Sequence, residues 1–443
     1  MLERLFHVRA LGSTPGREAL GGLTTFLTMA YILAVNPVFL TAAGMPLEGA
    51  IVATALSAAF ATLLMALLAN YPIALAPGMG LNAFFAYGVC LGAKVPWPTA
   101  LGLVFWSGVL FVLLTVTGAR AVIVRAVPRV LVLAGAAGIG LFIAFIGLEQ
   151  GGLVKADPNT LVTLGDLTAK PALLTLFGLG LSLLLAARGV RTAIFWGLAG
   201  TFLAALASGA VTAPDRLLRV PSLALPGRSI DLLGALQARY IPLVLVTLFF
   251  ALFDTLGTLM AIAHEAGLLK EAGEGKGLTL PRLERALTAD ALGMVGGSLF
   301  GTSTVTSYIE SGAGVGVGAR TGLASLVTGG LLLLSLFAAP LVEMVGKAAG
   351  VGANPVTAPA LILVGTLMVR AVKEIDWEDA TEGLPAFFTL LLMPLTFNIS
   401  HGLAAGIVVY ALVKTAAGRA REVHWLIYLL AALFVLRYAL LPA

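Results

Sequence analysis

Read from its N-terminus, the chain alternates long apolar runs with short polar connections. The runs fall at 17–36, 47–69, 73–92, 97–118, 128–148, 171–187, 190–211, 240–263, 285–300, 303–318, 321–342, 356–372, 384–398, 401–416 and 423–441, here segments 1 to 15. About 20 apolar residues cross a bilayer as a helix, so the pattern predicts an all-α polytopic membrane protein. The longest polar connection, 212–239, carries Asp215, Arg216, Arg219, Arg228 and Asp231. Seven segments precede it, and the features before it recur after it. An odd number of spans per copy makes the second copy enter from the opposite side, which is an inverted repeat. The expected organisation is a first repeat over 1–211, a connection over 212–239 and a second repeat over 240–443.

Two segments are interrupted. In segment 3, Asn70 to Asn82 reads NYPIALAPGMGLN; in segment 10, Gly301 to Glu310 reads GTSTVTSYIE. Pro77 lacks an N–H, and Gly78 and Gly80 admit conformations closed to other residues. The β-branched and hydroxyl residues after Gly301 suit an extended chain. The expectation is a short extended stretch and a half-helix in each, the helices starting near Gly80 and Tyr308. Irregular backbone at membrane depth is tolerated only inside protein or beside water. Two such breaks facing each other make a polar pocket at the midplane, with the positive end of each half-helix turned towards it. Gly312, Gly314, Gly316, Gly318 and Gly322 suit close helix packing. Gly197, in segment 7, reads as a position that tolerates a methyl group.

Composition narrows the class. The chain has 443 residues, 59% hydrophobic and 11% charged, far from the charge content of soluble proteins. That excludes a water-soluble enzyme, a disordered scaffold and a nucleic-acid binder, and makes the lipid bilayer the first partner. One cysteine, Cys90, forbids a disulfide within the chain, and no His, Cys, Asp and Glu spacing suggests a metal site. The start lacks a signal-peptide pattern. With the N-terminus inside, eighteen of the 27 Lys and Arg residues fall in cytoplasmic connections, among them Arg9, Arg17, Arg120, Arg125, Arg129, Arg191, Lys276, Arg282 and Arg370. That bias sets orientation and fits an even number of spans up to Arg421, leaving segment 15 unassigned.

Ionisable groups within spans are functional candidates by default. Asp254 lies deep in segment 8 and Glu310 at the second break. Asp290 is close to the basic loop before segment 9, where a structural role is favoured. Asn82 suits an N-cap, a ligand contact or both. The acidic group Glu374, Asp376, Glu378, Asp379 and Glu382 reads as a solvated loop, and His264 and His401 as interfacial residues.

At these residues the chain resembles the AzgA-like purine permeases, a branch of the nucleobase–cation symporter-2 family. The resemblance rests on GLTTFLTMAYILAVNP at 22–37, APGMGLNAFFAYGV at 76–89, FDTLGT at 253–258, GTSTVTSYIESGAGVGVGARTGL at 301–323, PALILVGTLMV at 359–369 and LPAFFTLLLMPLTFNIS at 384–400. It implies a 7+7 inverted repeat of fourteen membrane segments. A core domain comprises segments 1–4 and 8–11 (about 17–118 and 240–342), and a gate domain the remainder (about 128–211 and 356–441). It places the substrate carboxylate on Asp254, the segment 10 position on Glu310 followed by Ser311, and the segment 3 position on Asn82. Thr24, Thr25 and Thr28 lie in segment 1, whose counterpart lines the family's pocket. Ser400 and His401 depart from the family's expected turn.

A purine base is flat and edged with N–H donors and acceptors. The substrate-binding set is therefore Asp254, Glu310, Asn82, Ser311, Gly80, Thr25 and Phe84, with Phe85 and Phe253 as further ring surfaces. Two carboxylates in low dielectric do not both ionise readily, so Asp254 and Glu310 are also the proton-coupling candidates, Asp254 for the proton and Glu310 for the substrate. The expected function is proton-coupled import of adenine, guanine or hypoxanthine across the cytoplasmic membrane, without cofactor, metal or catalytic residue. Monomer and homodimer both stay open, as do sodium coupling and the preferred purine. The competing readings are an anion or small-solute carrier of the same fold, a channel, and a membrane-embedded enzyme using Asp254 and Glu310.

Overall fold

The structure, a computed structural model, describes residues 2–118, 128–211, 216–222, 224–271, 278–347 and 354–440. Arg120, Arg125, Asp215 and Lys276 lie outside the described residues. All fifteen segments contain helix. Segment 1 is two helices, Pro15–Met29 and Ile32–Ala42. Segments 2 and 4 are Leu47–Leu64, extended by a π-helical stretch Met65–Ala69, and Trp97–Val116. Segments 5, 6 and 7 are Arg129–Gln150, Lys170–Ala187 and Ala193–Ala207. Segments 8 and 9 are Ile241–Glu265 and Leu283–Phe300. Segment 11 comprises Gly322–Ser335 and Ala339–Lys347, joined by a 3₁₀ turn. Segments 12 to 15 are Ala358–Val369, Ala380–Leu395, Ile399–Ala416 and Trp425–Leu440. Among the described residues, eight helices are long and apolar enough to cross a membrane.

Segments 3 and 10 break as their sequences demand. Segment 3 has a strand Leu75–Pro77, a helix Met79–Ala83 and a π-helical continuation Phe84–Gly92. Segment 10 has a strand Val305–Ser307 and a helix Ser311–Gly316, which starts three residues later than the sequence suggested. The strands pair antiparallel, with Leu75 opposite Ser307 and Pro77 opposite Val305. Side chains satisfy the backbone groups this pair leaves over. Thr62 Oγ1 accepts from Leu75 N, and Ser311 Oγ from Ala74 N, at 2.9 and 3.0 Å. Ser325 Oγ donates to the Tyr71 and Ile73 carbonyls. Extended chain is thus stable here because it is wrapped in protein.

The packing carries the inverted symmetry. Segment 1 packs on 11, and segment 8 on 4; segment 2 packs on 11, and segment 9 on 4; segment 5 packs on 13, and segment 12 on 6. Each pair becomes the other when the repeats are exchanged. Equivalent segments also meet each other, 2 on 9, 3 on 10 and 5 on 12. The last crossing is glycine on glycine. A Cβ on Gly140 would lie 2.8 Å from the Gly365 carbonyl, and one on Gly365 2.5 Å from the Gly140 carbonyl, so only small residues let these helices approach. Gly197 belongs to the same class, contrary to the sequence reading. A Cβ there would meet Ser182 Oγ at 1.6 Å and the Gly178 carbonyl at 3.3 Å, because segments 6 and 7 cross at that point.

Candidate functional site

The paired strands hold a band of polar side chains. Asn82, fully buried, donates to the Pro77 carbonyl at 3.2 Å and accepts from Ser303 Oγ at 2.5 Å. It therefore ties the segment 3 half-helix to both breaks. Tyr308 donates to the same Pro77 carbonyl at 2.5 Å. Both groups are drawn there because proline ends the strand, leaving its carbonyl to side-chain donors.

Three carboxylates flank the strands. Asp254 opens into the space beside segment 8, and its Oδ2 accepts from Thr306 Oγ1 at 3.1 Å. Thr306 lies 3.1 Å from Thr255 Oγ1, which donates to Asp290 Oδ2 at 2.5 Å. Ser307 Oγ donates to Asp290 Oδ1 at 3.0 Å. Two threonine hydroxyls thus stand between Asp254 and Asp290. Each has a single proton, so a continuous hydrogen-bonded chain forms only when one of the two carboxyls is protonated and donates into it. Glu310, half-buried, accepts from the Tyr31 hydroxyl at 2.6 Å. Among the described residues none of the three carboxylates forms an ion pair.

A cavity of about 260 Å³ lies between the two sets of helices. Phe253, Asp254, Gly257 and Thr258 of segment 8, Gly80 and Leu81 of segment 3 and Ile309 of segment 10 form one wall. Leu133, Ala136 and Ile139 of segment 5 and Met368 of segment 12 form the other. Its access is one-sided. On segment 8, Asp254, Gly257, Ala261 and His264 are exposed, one stripe running to the helix end. Segment 5 is partly exposed at Val132, Leu133 and Ala136 and buried from Ala137 to Gly140; segment 12 is buried from Ala358 to Gly365 and exposed beyond. These open ends adjoin Arg129, Arg370 and the connection containing Arg282. Further along segments 3 and 5, away from those ends, lies a cluster of aromatic rings. Tyr87 contacts Phe39, Phe142 and Phe397 at centroid distances of 6.0, 5.8 and 5.5 Å, and Phe397 contacts Phe142 and Phe145 at 5.3 and 5.8 Å.

Of the residues singled out in the sequence, Asp254, Gly80 and Phe253 line this cavity. Glu310 adjoins it next to Ile309. Asn82 and Ser311 lie behind the wall, joining half-helices to strands. Thr25 is buried against Gly314, and Thr28 donates to the Glu310 carbonyl at 3.3 Å. Phe84 is in the core, its ring 5.9 Å from Phe250. Phe85 is likewise buried. Asp290, for which the sequence favours a structural role, is fully buried and hydrogen-bonded to Thr255 and Ser307. Tyr31 carried no signal in the sequence beyond its place in segment 1.

The acidic loop is more than solvated. Asp379 caps the helix of segment 13 and pairs with Arg419 at 2.6 Å; Glu382 pairs with Lys414 at 2.7 Å; Glu374 pairs with Arg129. The Thr381 hydroxyl and the Arg419 guanidinium hold the Asp379 carboxyl well below the usual carboxylate range.

A family model described as "Permease family" matches residues 16–405. The chain is 44% identical over 452 residues to guanine/hypoxanthine permease PbuG of Bacillus subtilis, covering 99% of this chain and 100% of that one. It is 39% identical over 443 residues to adenine permease AdeP of Escherichia coli, covering 100% and 97%. Among solved structures it resembles the transmembrane domain of the cyanobacterial bicarbonate transporter BicA, with a TM-score of 0.63 and 17% identity, covering 88% of this chain and 97% of that one.

Proposed function

The chain belongs to the permease family, and from that premise we propose that it imports purine nucleobases across the cytoplasmic membrane by proton symport. The observation that carries this reading is Asp254 opening into a cavity walled by Phe253, Ile309 and other apolar side chains. A flat neutral heterocycle needs that combination, a strong acceptor for its N–H edge beside an apolar slot for its ring. Asp254 and Glu310 serve as acceptors, while Asn82 and Ser311 hold the breaks in shape and Gly80 keeps the wall thin. The names of the relatives, guanine/hypoxanthine and adenine permeases, support the substrate class.

The proton follows from charge. A carboxylate at membrane depth is costly unless paired, and buried Asp290, half-buried Glu310 and exposed Asp254 all have hydroxyl donors in place of cations. A proton is the smallest neutralising partner. Held on one carboxyl, it lets that group donate, and the hydroxyls of Thr255 and Thr306 then turn to link Asp254 and Asp290 in one chain. Segments 1–4 and 8–11 form the core domain and the others the gate domain; the cavity lies between them. With the Arg-rich ends cytoplasmic and the N-terminus inside, this arrangement reads as an inward-facing state in which the rings around Tyr87 serve as the outer gate. Sliding of core against gate opens that cluster and closes the inner stripe on segment 8. An anion carrier is the nearest rival in fold, but a carboxylate in the cavity repels its cargo.

The test is uptake of labelled adenine, guanine and hypoxanthine by cells lacking their own purine permeases, with and without a proton uncoupler. Concentrative uptake of at least one base, abolished by the uncoupler, is expected. Uptake that ignores the uncoupler removes the proton, and no uptake of any base removes the substrate class.

A further inference from the structure

Tyr31 lies at the kink of segment 1, where Ala30 and Tyr31 separate the two helices. It is 2% exposed, and its hydroxyl donates to Glu310 Oε1 at 2.6 Å. One turn earlier Thr28 reaches the carbonyl of the same residue, so segment 1 grips Glu310 by backbone and side chain together. A carboxylate has two acceptor oxygens, and its terminal torsion is soft. Left alone, Glu310 would present either oxygen in a range of orientations. We propose that Tyr31 is a positioning residue for the substrate: it occupies Oε1, fixes the carboxylate plane and leaves Oε2 as the single acceptor for a purine N–H. The inference rests on the reading above that Glu310 binds the base. The same device acts on the other carboxylate, where Thr306 holds Asp254 Oδ2 and leaves Oδ1. The site thus offers one free oxygen from each of two fixed carboxylates. That set selects a neutral ring with N–H donors on two edges and disfavours one whose edges carry acceptors alone.

The experiment is a double-mutant cycle of Tyr31→Phe and Glu310→Gln, read as equilibrium binding of labelled guanine, hypoxanthine and adenine. It uses the monodisperse fraction of each purified full-length protein, so that yield does not enter. Phe keeps the ring and its packing and removes the donor alone. Tyr31→Phe is expected to weaken binding about tenfold, the loss of one hydrogen bond to a charged group. Exchange at saturating base is expected to stay within about twofold of the parent, since uniform binding is what is lost. In the Glu310→Gln background the same substitution is expected to cost only about threefold, because the amide oxygen still accepts from Tyr31 but carries no charge. Parent-like affinity in Tyr31→Phe overturns the proposal, as do losses that multiply in the double variant, the signature of packing alone. If the parent protein binds no purine at all, it is the function reading that has failed.

Discussion

Gly314→Ala tests how tightly the segment 10 half-helix is seated. A Cβ at Gly314 would lie 2.2 Å from Thr25 Oγ1 and 2.5 Å from the Gly21 carbonyl oxygen. Thr25 can rotate; the Gly21 backbone cannot. Ordinary contact begins at 3.4 Å, so the two helices must separate by roughly 0.9 Å, at a cost of about 1–3 kcal/mol for overpacking. The half-helix starts at Ser311, directly after Glu310, so its displacement carries Glu310 away from Tyr31. A misplacement of about 1 Å at a site can cost around 100-fold in rate. Initial rates of purine uptake, normalised to surface expression, should therefore fall between about 10- and 100-fold. Gly330→Ala is the control, because a Cβ there meets nothing within 4 Å, and it should be neutral. Uptake by Gly314→Ala within about twofold of the parent, or equal damage from Gly330→Ala, refutes the argument that this helix must sit at its observed depth.

Three further outcomes follow from the same geometry. Asp254→Asn keeps a neutral side chain but cannot release a proton, so it should lose concentrative uptake while retaining exchange; pH-dependent accumulation by this variant would contradict its assignment. Gly80→Val should cut transport at least about tenfold with normal membrane insertion, because even its Cβ meets Ile139 Cγ2 at 2.7 Å across the cavity; parent-like uptake would show that this wall does not approach the gate. Asp379→Asn should lower the melting temperature at pH 7, and the deficit should shrink as pH falls below about 3.9, the ordinary Asp value. The sign follows from a carboxyl held low in the folded state: its contribution is present above the unfolded value and is lost as acid protonates it. A deficit independent of pH would mean the Arg419 pair contributes nothing.

The breaks were legible because their causes are local: Pro77 and Gly78 in one, a run of Thr and Ser in the other. The pairing between them was not, since two three-residue strands some 230 positions apart leave no periodicity to read. The partners of Asp290 were hidden for a similar reason. Its neighbours in sequence are Arg282 and Arg285, but its partners are Thr255 and Ser307, which only the packing of segments 8, 9 and 10 brings together. Segment 1 read as one span because no breaker stands at the kink itself; Pro37 lies one turn beyond the tightened bonds at Leu33 and Ala34 and withholds the N–H that the Leu33 carbonyl would accept. That kink puts Tyr31, rather than the nearby threonines, against the Glu310 side chain. Gly197 was misjudged because a glycine in an apolar run gives no sign of whether another helix crosses it.

The central claim is that a purine occupies the cavity between segments 3, 5, 8 and 12. Gly257 is its most direct probe, because it lines that cavity and an added Cβ meets nothing within 4 Å. The measurement is equilibrium binding of labelled adenine, guanine and hypoxanthine to the purified parent, Gly257→Leu and Gly330→Leu. The account predicts saturable binding by the parent and by Gly330→Leu, and none by a folded, monodisperse Gly257→Leu, whose side chain fills the space of the base. Undiminished binding by Gly257→Leu would place the substrate elsewhere and contradict the account.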